Sequence, residues 1–189
     1  MGERALRVLD VDRFSWSEAD LCFLAAGERA ARKWAPKIAS AGCVAIDVSP
    51  AFRMDVNVPL VAPEVNPEAV DGWRARRILA VPGAAAAQLA AVLAPLDRAA
   101  GVRRVTVTAL LSASGLGRRA MDELFVQTKG VYVNQAPEPK EFAKQIAFNL
   151  IPQAGDYLDD GATDEEARLR EELGKLLGRE IDMVATCIR

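Results

Sequence analysis

Apolar and polar positions in the first eighty residues alternate between short apolar runs and longer amphipathic stretches. Three segments have the pattern of a short buried strand: residues 19–27, 44–48 and 77–81. Between the first two, Glu28–Ala41 has apolar residues three or four positions apart and stops at Gly42, which predicts a helix. Pro36 lies inside it and predicts a kink or an early end. Strands and helices that alternate in this way predict a parallel sheet with crossover helices.

An alanine-rich stretch follows the third predicted strand. It begins near Ala84, directly after Pro82 and Gly83. We expect a helix that reaches at least Ala94 and that breaks at Pro95, because proline removes a helical hydrogen bond.

The pattern of apolar positions changes after residue 101. The elements predicted there are a strand over 103–110, a tight loop over 112–117, a helix over 118–128, an irregular segment over 129–141, a strand over 145–150, a helix from 163 to about 177 and a strand over 181–188. Thr163 with Glu166 three residues later resembles a capping box, which sets the start of the last helix. This order of elements predicts a second region of α+β type.

Composition and charge exclude several classes of partner. The chain has 189 residues, of which 51% are apolar, and its net charge is −2, so it offers no electrostatic basis for binding nucleic acid or an anionic membrane. Four basic residues on the first predicted helix, Arg29, Arg32, Lys33 and Lys37, are interpreted as its solvated face. No apolar run reaches the roughly 18–20 residues that span a bilayer. The N-terminus lacks a secretory pattern, and no Ser or Thr completes a myristoylation motif at Gly2, so we expect a cytoplasmic protein.

Cysteine and histidine usage narrows the chemistry further. Cys22, Cys43 and Cys187 lie among apolar residues without C-x-x-C spacing, which predicts reduced core thiols. The sequence contains no histidine. Histidine-containing zinc sites and Ser–His or Cys–His pairs are therefore excluded within this chain, and no metal site is predicted.

The junction at Ala84 is the point at which this fold could support nucleophilic chemistry. A strand–turn–helix junction directs backbone N–H groups and the positive end of the helix dipole at the first helical residue. A thiol at that position would have a lowered pKa and would be a ready nucleophile. Ala84 places only a methyl group there.

Several segments together resemble the aspartate-semialdehyde dehydrogenase family. They are residues 24–27, 47–55, 61–66, 112–117, 145–153, 163–168 and 186–189, in the family's order. The resemblance covers nearly the whole chain. It implies NADPH-dependent reductive dephosphorylation of β-aspartyl phosphate to aspartate semialdehyde, which feeds lysine, methionine and threonine synthesis. A cysteine thiolate would be the nucleophile and a histidine would handle protons.

By this resemblance, the positions that carry the chemistry are altered. Ala84 stands at the nucleophile, Gly83 at the asparagine beside it, and Leu111 at a glutamine that would form a hydrogen bond. The family's catalytic histidine falls beyond Arg189, and its glycine-rich NADP-binding loop is not found before Leu21. We therefore expect no intact catalytic residue, and the missing loop argues against NADP binding by this chain.

The resemblance implies that the substrate side is retained. The implied substrate-binding residues are Arg53, Glu165, Arg168 and Arg189, and the implied cofactor-binding residues are Ser114 and Gly115. Several of these residues also have a purely structural explanation. Arg53 would serve equally as a surface arginine, an acid such as Glu165 is favoured in the first turn of any helix, and Ser114 with Gly115 suits a turn.

These observations predict an α/β protein in two parts. Residues 1–81 would be a partial Rossmann-like NADP-binding domain, and residues 82–189 an incomplete α+β catalytic and dimerisation domain. Open sheet edges favour association, so we expect a homodimer, or a hetero-oligomer with a full-length relative, through residues 103–189.

Three hypotheses about function follow from the altered positions. The favoured one is a pseudoenzyme that acts, if at all, through dimerisation or another interaction, and the alternative is an inert fragment of the enzyme. An enzyme with a different nucleophile is least favoured, since loss of a covalent nucleophile costs many orders of magnitude in rate.

Overall fold

The computed structural model describes residues 7–135 and 137–189. The prediction about myristoylation at Gly2 and the first six residues of the expected nucleotide-binding domain lie outside this description. The chain divides into two compact units, the first ending at Pro82 and the second comprising Gly83–Arg189.

The first unit is a parallel sheet with a crossover helix. Its strands are β1 (Leu21–Leu24), β2 (Val44–Asp47) and β3 (Ile78–Ala80), hydrogen-bonded in the order β1-β2-β3. Helix α1 (Glu28–Ser40) connects the first two strands. The sequence-based prediction of a parallel sheet with a crossover helix is confirmed by this pairing.

Helix α1 packs on the sheet through Ala31, Ala35 and Ile38, all fully buried. The helix continues past Pro36 to Ser40, so the predicted early end is wrong. Pro36 and the residue four positions earlier, Arg32, are both exposed, so the carbonyl that proline leaves without an N–H partner lies on the solvent side of the helix.

Strand β1 is only partly buried. Leu21 is exposed and Phe23 is 70% exposed, while Leu24 is buried. The prediction of a buried strand is therefore wrong for one face of β1, because Leu21 and Phe23, which are two residues apart and so share a face, are both exposed. Cys22 is half-buried rather than a core residue.

The second unit contains longer elements. They are α2 (Ala84–Ala100), β4 (Arg104–Leu110), α3 (Arg118–Tyr132), α4 (Asp164–Leu177) and β5 (Asp182–Ile188). Strands β4 and β5 are parallel and in register along their whole length. Helices α2 and α4 pack on each other, and α4 also packs on β5. Within the described residues, no helix is long and apolar enough to cross a bilayer.

Two helices of this unit extend beyond their predicted ends. Helix α2 runs through Pro95 to Ala100, so the predicted break is wrong. Pro95 and Ala91, the residue four positions earlier, are both exposed, so water can hydrogen-bond to the freed carbonyl. Helix α3 continues to Tyr132, which shortens the segment predicted to be irregular.

The strand predicted over residues 145–150 is absent, and the segment forms a turn. The N–H groups of Ile146 and Ala147 donate to Gln127 Oε1 at 2.8 Å and 3.2 Å instead of to a neighbouring strand. Phe148 adopts a φ of +57°, which no strand accommodates. Ile146 and Ile151 pack in a core cluster with Ala120 and Phe142.

The capping box at the start of α4 is present as predicted. Thr163 Oγ1 accepts from the Glu166 N–H, and Glu166 Oε2 accepts from the Thr163 N–H at 2.8 Å. The other oxygen, Glu166 Oε1, accepts from the Cys187 N–H at 2.8 Å and so ties α4 to β5. Burial of Glu166 opposes its ionisation, but the hydrogen bonds from Thr163 and Cys187 outweigh that effect and lower its pKa.

Candidate functional site

The start of α2 is fixed by a buried carboxylate on α4. Ala84 is the first residue of α2 and is exposed, and Gly83 is the N-cap. The Gly83 N–H donates to Glu172 Oε2 at 2.6 Å, and Glu172 is only 3% exposed. The geometry at Ala84 is that of a helix N-terminus that stabilises negative charge, but the side chain has no nucleophilic atom.

The three thiols have raised pKa values. Burial raises the pKa of Cys22, with a contribution from Cys43, and burial and the charge of Asp20 raise that of Cys43. Burial, followed by the charges of Glu166 and Glu165, raises the pKa of Cys187 to about 11. Since only the thiolate is an effective nucleophile, none of these cysteines supplies one at neutral pH.

Alkylation of the thiols tests this arrangement. In the folded chain at pH 7, we expect iodoacetamide to leave Cys43 and Cys187 unmodified, with labelling of Cys187 increasing only as the pH approaches about 11. Unfolded in denaturant, all three thiols should react with a midpoint at about pH 8.5. Peptide mass spectrometry measures each site. Rapid labelling of Cys187 in the folded chain at pH 7 would contradict the structure.

Arg53 joins the ends of two strands in the first unit. Its Nε donates to the Val81 carbonyl at 2.9 Å and its Nη2 to the Val48 carbonyl at 3.0 Å. These carbonyls directly follow β2 and β3. In this structure the guanidinium therefore holds the carboxyl ends of the two strands together, and the expected phosphate contact remains a prediction.

Arg189 lies beside the loop over residues 112–117. Its Nη1 donates to the Ser112 carbonyl at 3.2 Å, and a Cβ added at Gly115 would be only 3.1 Å from the same nitrogen. Ser114 shares a 2.7 Å hydrogen bond with Ser112 between their hydroxyl groups, and the Leu111 N–H donates to the Ile188 carbonyl at 2.7 Å. The structure thus brings Arg189, Leu111, Ser114 and Gly115 together at the carboxyl ends of β4 and β5, the edge at which open parallel sheets bind ligands.

Glu165 and Arg168 lie in the first turns of α4. Arg168 forms ion pairs with Asp164 and, at 3.3 Å, with Glu165. Asp164 also accepts from the Asp156 N–H at 3.1 Å. In the part of the chain that the structure describes, no hydrogen bond or ion pair connects Glu165 or Arg168 to Arg189, so these contacts do not assemble the expected substrate residues into one group.

The sequence interpretation missed Glu172. It falls on the same face of α4 as Leu169, Leu173 and Leu176, which are buried at spacings of three and four. A carboxylate on an apolar helical face needs a hydrogen-bond donor that is buried with it. The position of Glu172 among the regularly spaced leucines could therefore have marked it as a buried, hydrogen-bonded residue. Within residues 7–135 and 137–189, no three side chains of metal-ligating type come together.

Comparison with known proteins gives two consecutive family matches. The family model of the semialdehyde dehydrogenase NAD-binding domain matches residues 1–73, and that of the semialdehyde dehydrogenase dimerisation domain matches residues 93–189. These matches confirm the predicted order of a Rossmann-like nucleotide-binding domain followed by a dimerisation domain.

Individual relatives match almost the entire chain. An aspartate-semialdehyde dehydrogenase of Rickettsia conorii is 38% identical over 188 residues, which is 100% of this chain and 56% of that protein. Its counterpart in a Shewanella species is 42% identical over 93% of this chain and 52% of its own length. The crystal structure of aspartate-semialdehyde dehydrogenase II from Vibrio cholerae superposes with a TM-score of 0.94 at 40% identity, covering 97% of this chain and 55% of that one. The chain spans slightly more than half the length of these relatives.

Proposed function

Because this chain belongs to the aspartate-semialdehyde dehydrogenase family, we propose that it keeps part of the family's scaffold without the family's catalysis and acts by associating with another polypeptide. The main observation behind this proposal is the alanine at position 84. The family's reaction begins with attack by a thiolate, and the first residue of α2 offers only a methyl group. The N-terminus of α2 would favour a thiolate, so the change falls on the group that reacts rather than on the position that activates it.

Two further features of the chain support the same conclusion. The raised pKa values and burial of Cys43 and Cys187 argue against either thiol acting as a substitute nucleophile. Leu111, at the family's glutamine position, lies beside Arg189 and has no polar atom with which to orient a substrate. The loss of the nucleophile and the loss of its polar helper therefore impair the same reaction.

We propose that the retained polar residues recognised substrate and cofactor in the ancestral site. Arg53, Arg168 and Arg189 would contact the anionic groups of the substrate, because guanidinium groups form bidentate hydrogen bonds to carboxylate and phosphate. The Glu165 carboxylate would accept a hydrogen bond from the substrate's ammonium group. NADPH, when bound, would supply the hydride. Gly115, where a Cβ would crowd Arg189, and Ser114 would face it. Binding of NADP by this chain would be weak, because Pro50 and Val48 flank Ser49 where the family has polar contacts.

The proposed mode of action is association through the second unit. The dimerisation-domain match covers residues 93–189, which include β4, α3 and β5. The partner would be a second copy of this chain or a full-length relative. Association of this kind requires no nucleophile at position 84.

Genetic complementation tests the proposal. In a bacterium that lacks its own aspartate-semialdehyde dehydrogenase, expression of this chain should not restore growth without added lysine, methionine and threonine, because position 84 provides no thiolate. Expression of the full-length Vibrio cholerae relative is the positive control, and immunoblotting confirms that this chain accumulates. Growth supported by this chain alone would refute the proposed lack of catalysis.

A further inference from the structure

Strand β1 presents an open edge and an exposed apolar face. Within the residues that the structure describes, β1 pairs only with β2, in the order β1-β2-β3. Leu21 is 58% exposed and Phe23 is 70% exposed. Because these residues are two positions apart, their side chains share one face of the sheet. An exposed edge strand with apolar side chains is a template for pairing with another chain.

The backbone groups of the same two residues face the open edge. The carbonyls of Asp20 and Leu24 accept hydrogen bonds, at 2.9 Å and 3.2 Å, from N–H groups of β2 and of the residue that follows it. Both carbonyls therefore point towards β2. Backbone groups of consecutive residues in a strand point alternately to its two sides. Leu21 and Phe23 thus direct their N–H and C=O groups away from β2.

We propose that a second copy of this chain pairs with this edge, with the two β1 strands antiparallel about a two-fold axis at Cys22. In this register, Leu21 of each copy lies opposite Phe23 of the other, and each such pair exchanges two backbone hydrogen bonds. It is the only two-fold register in which both outward-facing residues of β1 pair with each other. The contact lies in the first unit, so it is separate from the proposed association through residues 93–189.

The charges on either side of β1 are complementary in this arrangement. Asp20 directly precedes β1, and Arg29 lies in the first turn of α1, which follows β1; both residues are exposed. Antiparallel pairing brings the start of one β1 beside the end of the other. Asp20 of one copy and Arg29 of the other therefore lie at the same end of the contact. Glu28, the neighbour of Arg29, is already paired with Arg32 at 2.7 Å.

The small size of the contact sets its expected strength. Standard protein interfaces bury about 1,600 Å², and weak, reversible ones bury less than about 1,200 Å². An aromatic side chain buries about 150–250 Å². One Phe23 and one Leu21 from each copy, with a strand of four residues, place this contact in the reversible class. We expect a dimer with a dissociation constant in the micromolar range.

Cys22 provides a direct reporter of this register. At the axis, Cys22 of one copy lies opposite Cys22 of the other in a pair without mutual hydrogen bonds, with Cα atoms about 4.5 Å apart. That separation falls within the range of about 4.4–6.8 Å that a disulfide spans. Cys22 is a free, half-buried thiol. The two thiols can therefore form a disulfide when diamide accepts the two electrons and two protons that they release.

Oxidation with diamide, followed by non-reducing electrophoresis, tests the register. The 189-residue chain should form a covalent dimer, and peptide mass spectrometry should find Cys22 joined to Cys22. The matched control combines Cys22→Ser with Val56→Cys, which moves the thiol to a position that is 89% exposed in the same unit. This control should link at least about tenfold more slowly, because pairing does not raise the effective concentration of its thiols. Equal rates of linkage in the two proteins would overturn the proposed register.

Sedimentation velocity across the micromolar range measures the pairing without oxidation. Phe23→Lys should raise the dissociation constant of the dimer by about 30-fold or more, because it places a charge among the apolar groups on both sides of the axis. The control Val56→Lys adds the same charge at an exposed apolar position and should leave the constant unchanged. Circular dichroism verifies that each variant is folded.

Two outcomes of the sedimentation experiment would overturn the inference. An unaltered chain that is monomeric throughout would show that β1 does not pair with a second copy. A dimer that is insensitive to Phe23→Lys would show that the copies associate through another surface, and the proposed association through the second unit would then stand without this contact.

Discussion

Replacing Gln127 by Leu should lower the free energy of unfolding of the second unit by about 2–5 kcal/mol, since each buried polar group left without a partner costs about 1–3 kcal/mol. Gln127 is fully buried, and its Oε1 accepts from the N–H groups of Ile146 and Ala147. Its Nε2 donates to Glu123 at 2.9 Å. Leucine has a similar size but leaves all three groups without this partner.

Denaturant unfolding followed by circular dichroism measures the decrease in the free energy of unfolding. Faster amide hydrogen exchange at Ile146 and Ala147 would show that the decrease arises at these two residues. Gln88→Leu is the matched control, because Gln88 is exposed on α2 and its replacement should change stability by no more than about 0.5 kcal/mol. All three tryptophans lie in the first unit, so their fluorescence reports on that unit and serves as an internal reference. If Gln127→Leu lowers the free energy of unfolding by less than about 1 kcal/mol, the hydrogen bonds of Gln127 do not hold residues 146–147 in place.

Gly155→Ala should destabilise the second unit by about 2–5 kcal/mol through a strained backbone and a steric clash. Gly155 has a φ of +90°, and an added Cβ would lie 1.7 Å from Asp164 Oδ1. Asp164 cannot easily move aside, because it accepts from the Asp156 N–H and pairs with Arg168. The substitution therefore disturbs the start of α4 as well as the turn.

A second glycine separates the two causes. Gly161 has a φ of +83° but nothing within 4 Å of an added Cβ, so Gly161→Ala should show only the backbone cost of about 1–2 kcal/mol. In the Asp164→Ala background the clash is removed, so Gly155→Ala should there cost about as much as Gly161→Ala. Thermal unfolding of these variants measures each value. Equal losses for Gly155→Ala and Gly161→Ala in the unaltered background would show that Asp164 does not restrict this turn.

The elements that local sequence determines were predicted well. The capping box of Thr163 and Glu166 uses groups three residues apart, so the start of α4 could be inferred from the sequence alone. Alternation of strands and helices likewise predicted that β1, β2 and β3 pair in parallel.

The errors arise where distant residues or exposure decide the structure. The segment over 145–150 has the composition of a strand, but Gln127, about twenty residues earlier, satisfies its backbone and makes it a turn. Pro36 and Pro95 do not end their helices, because both face solvent, and single-sequence patterns do not show on which side of a helix a proline will lie.

In the candidate site, too, features set by local sequence could be predicted and features set by distant residues could not. The positions of Ala84 and Arg189 at element ends could be inferred from motifs. The Glu172 bond to Gly83 and the carbonyl contacts of Arg53 depend on tertiary packing, which no motif records.

Phosphate-dependent formation of NADPH from aspartate semialdehyde and NADP decides most directly whether this chain catalyses the reaction of its family. The chain is purified from a host that lacks its own aspartate-semialdehyde dehydrogenase, and the full-length Vibrio cholerae relative shows that the assay works. With a methyl group at position 84, we predict no NADPH above the protein-free blank at any chain concentration. NADPH formation that is proportional to the concentration of this chain, and that falls in an Arg189→Ala variant, would contradict this account.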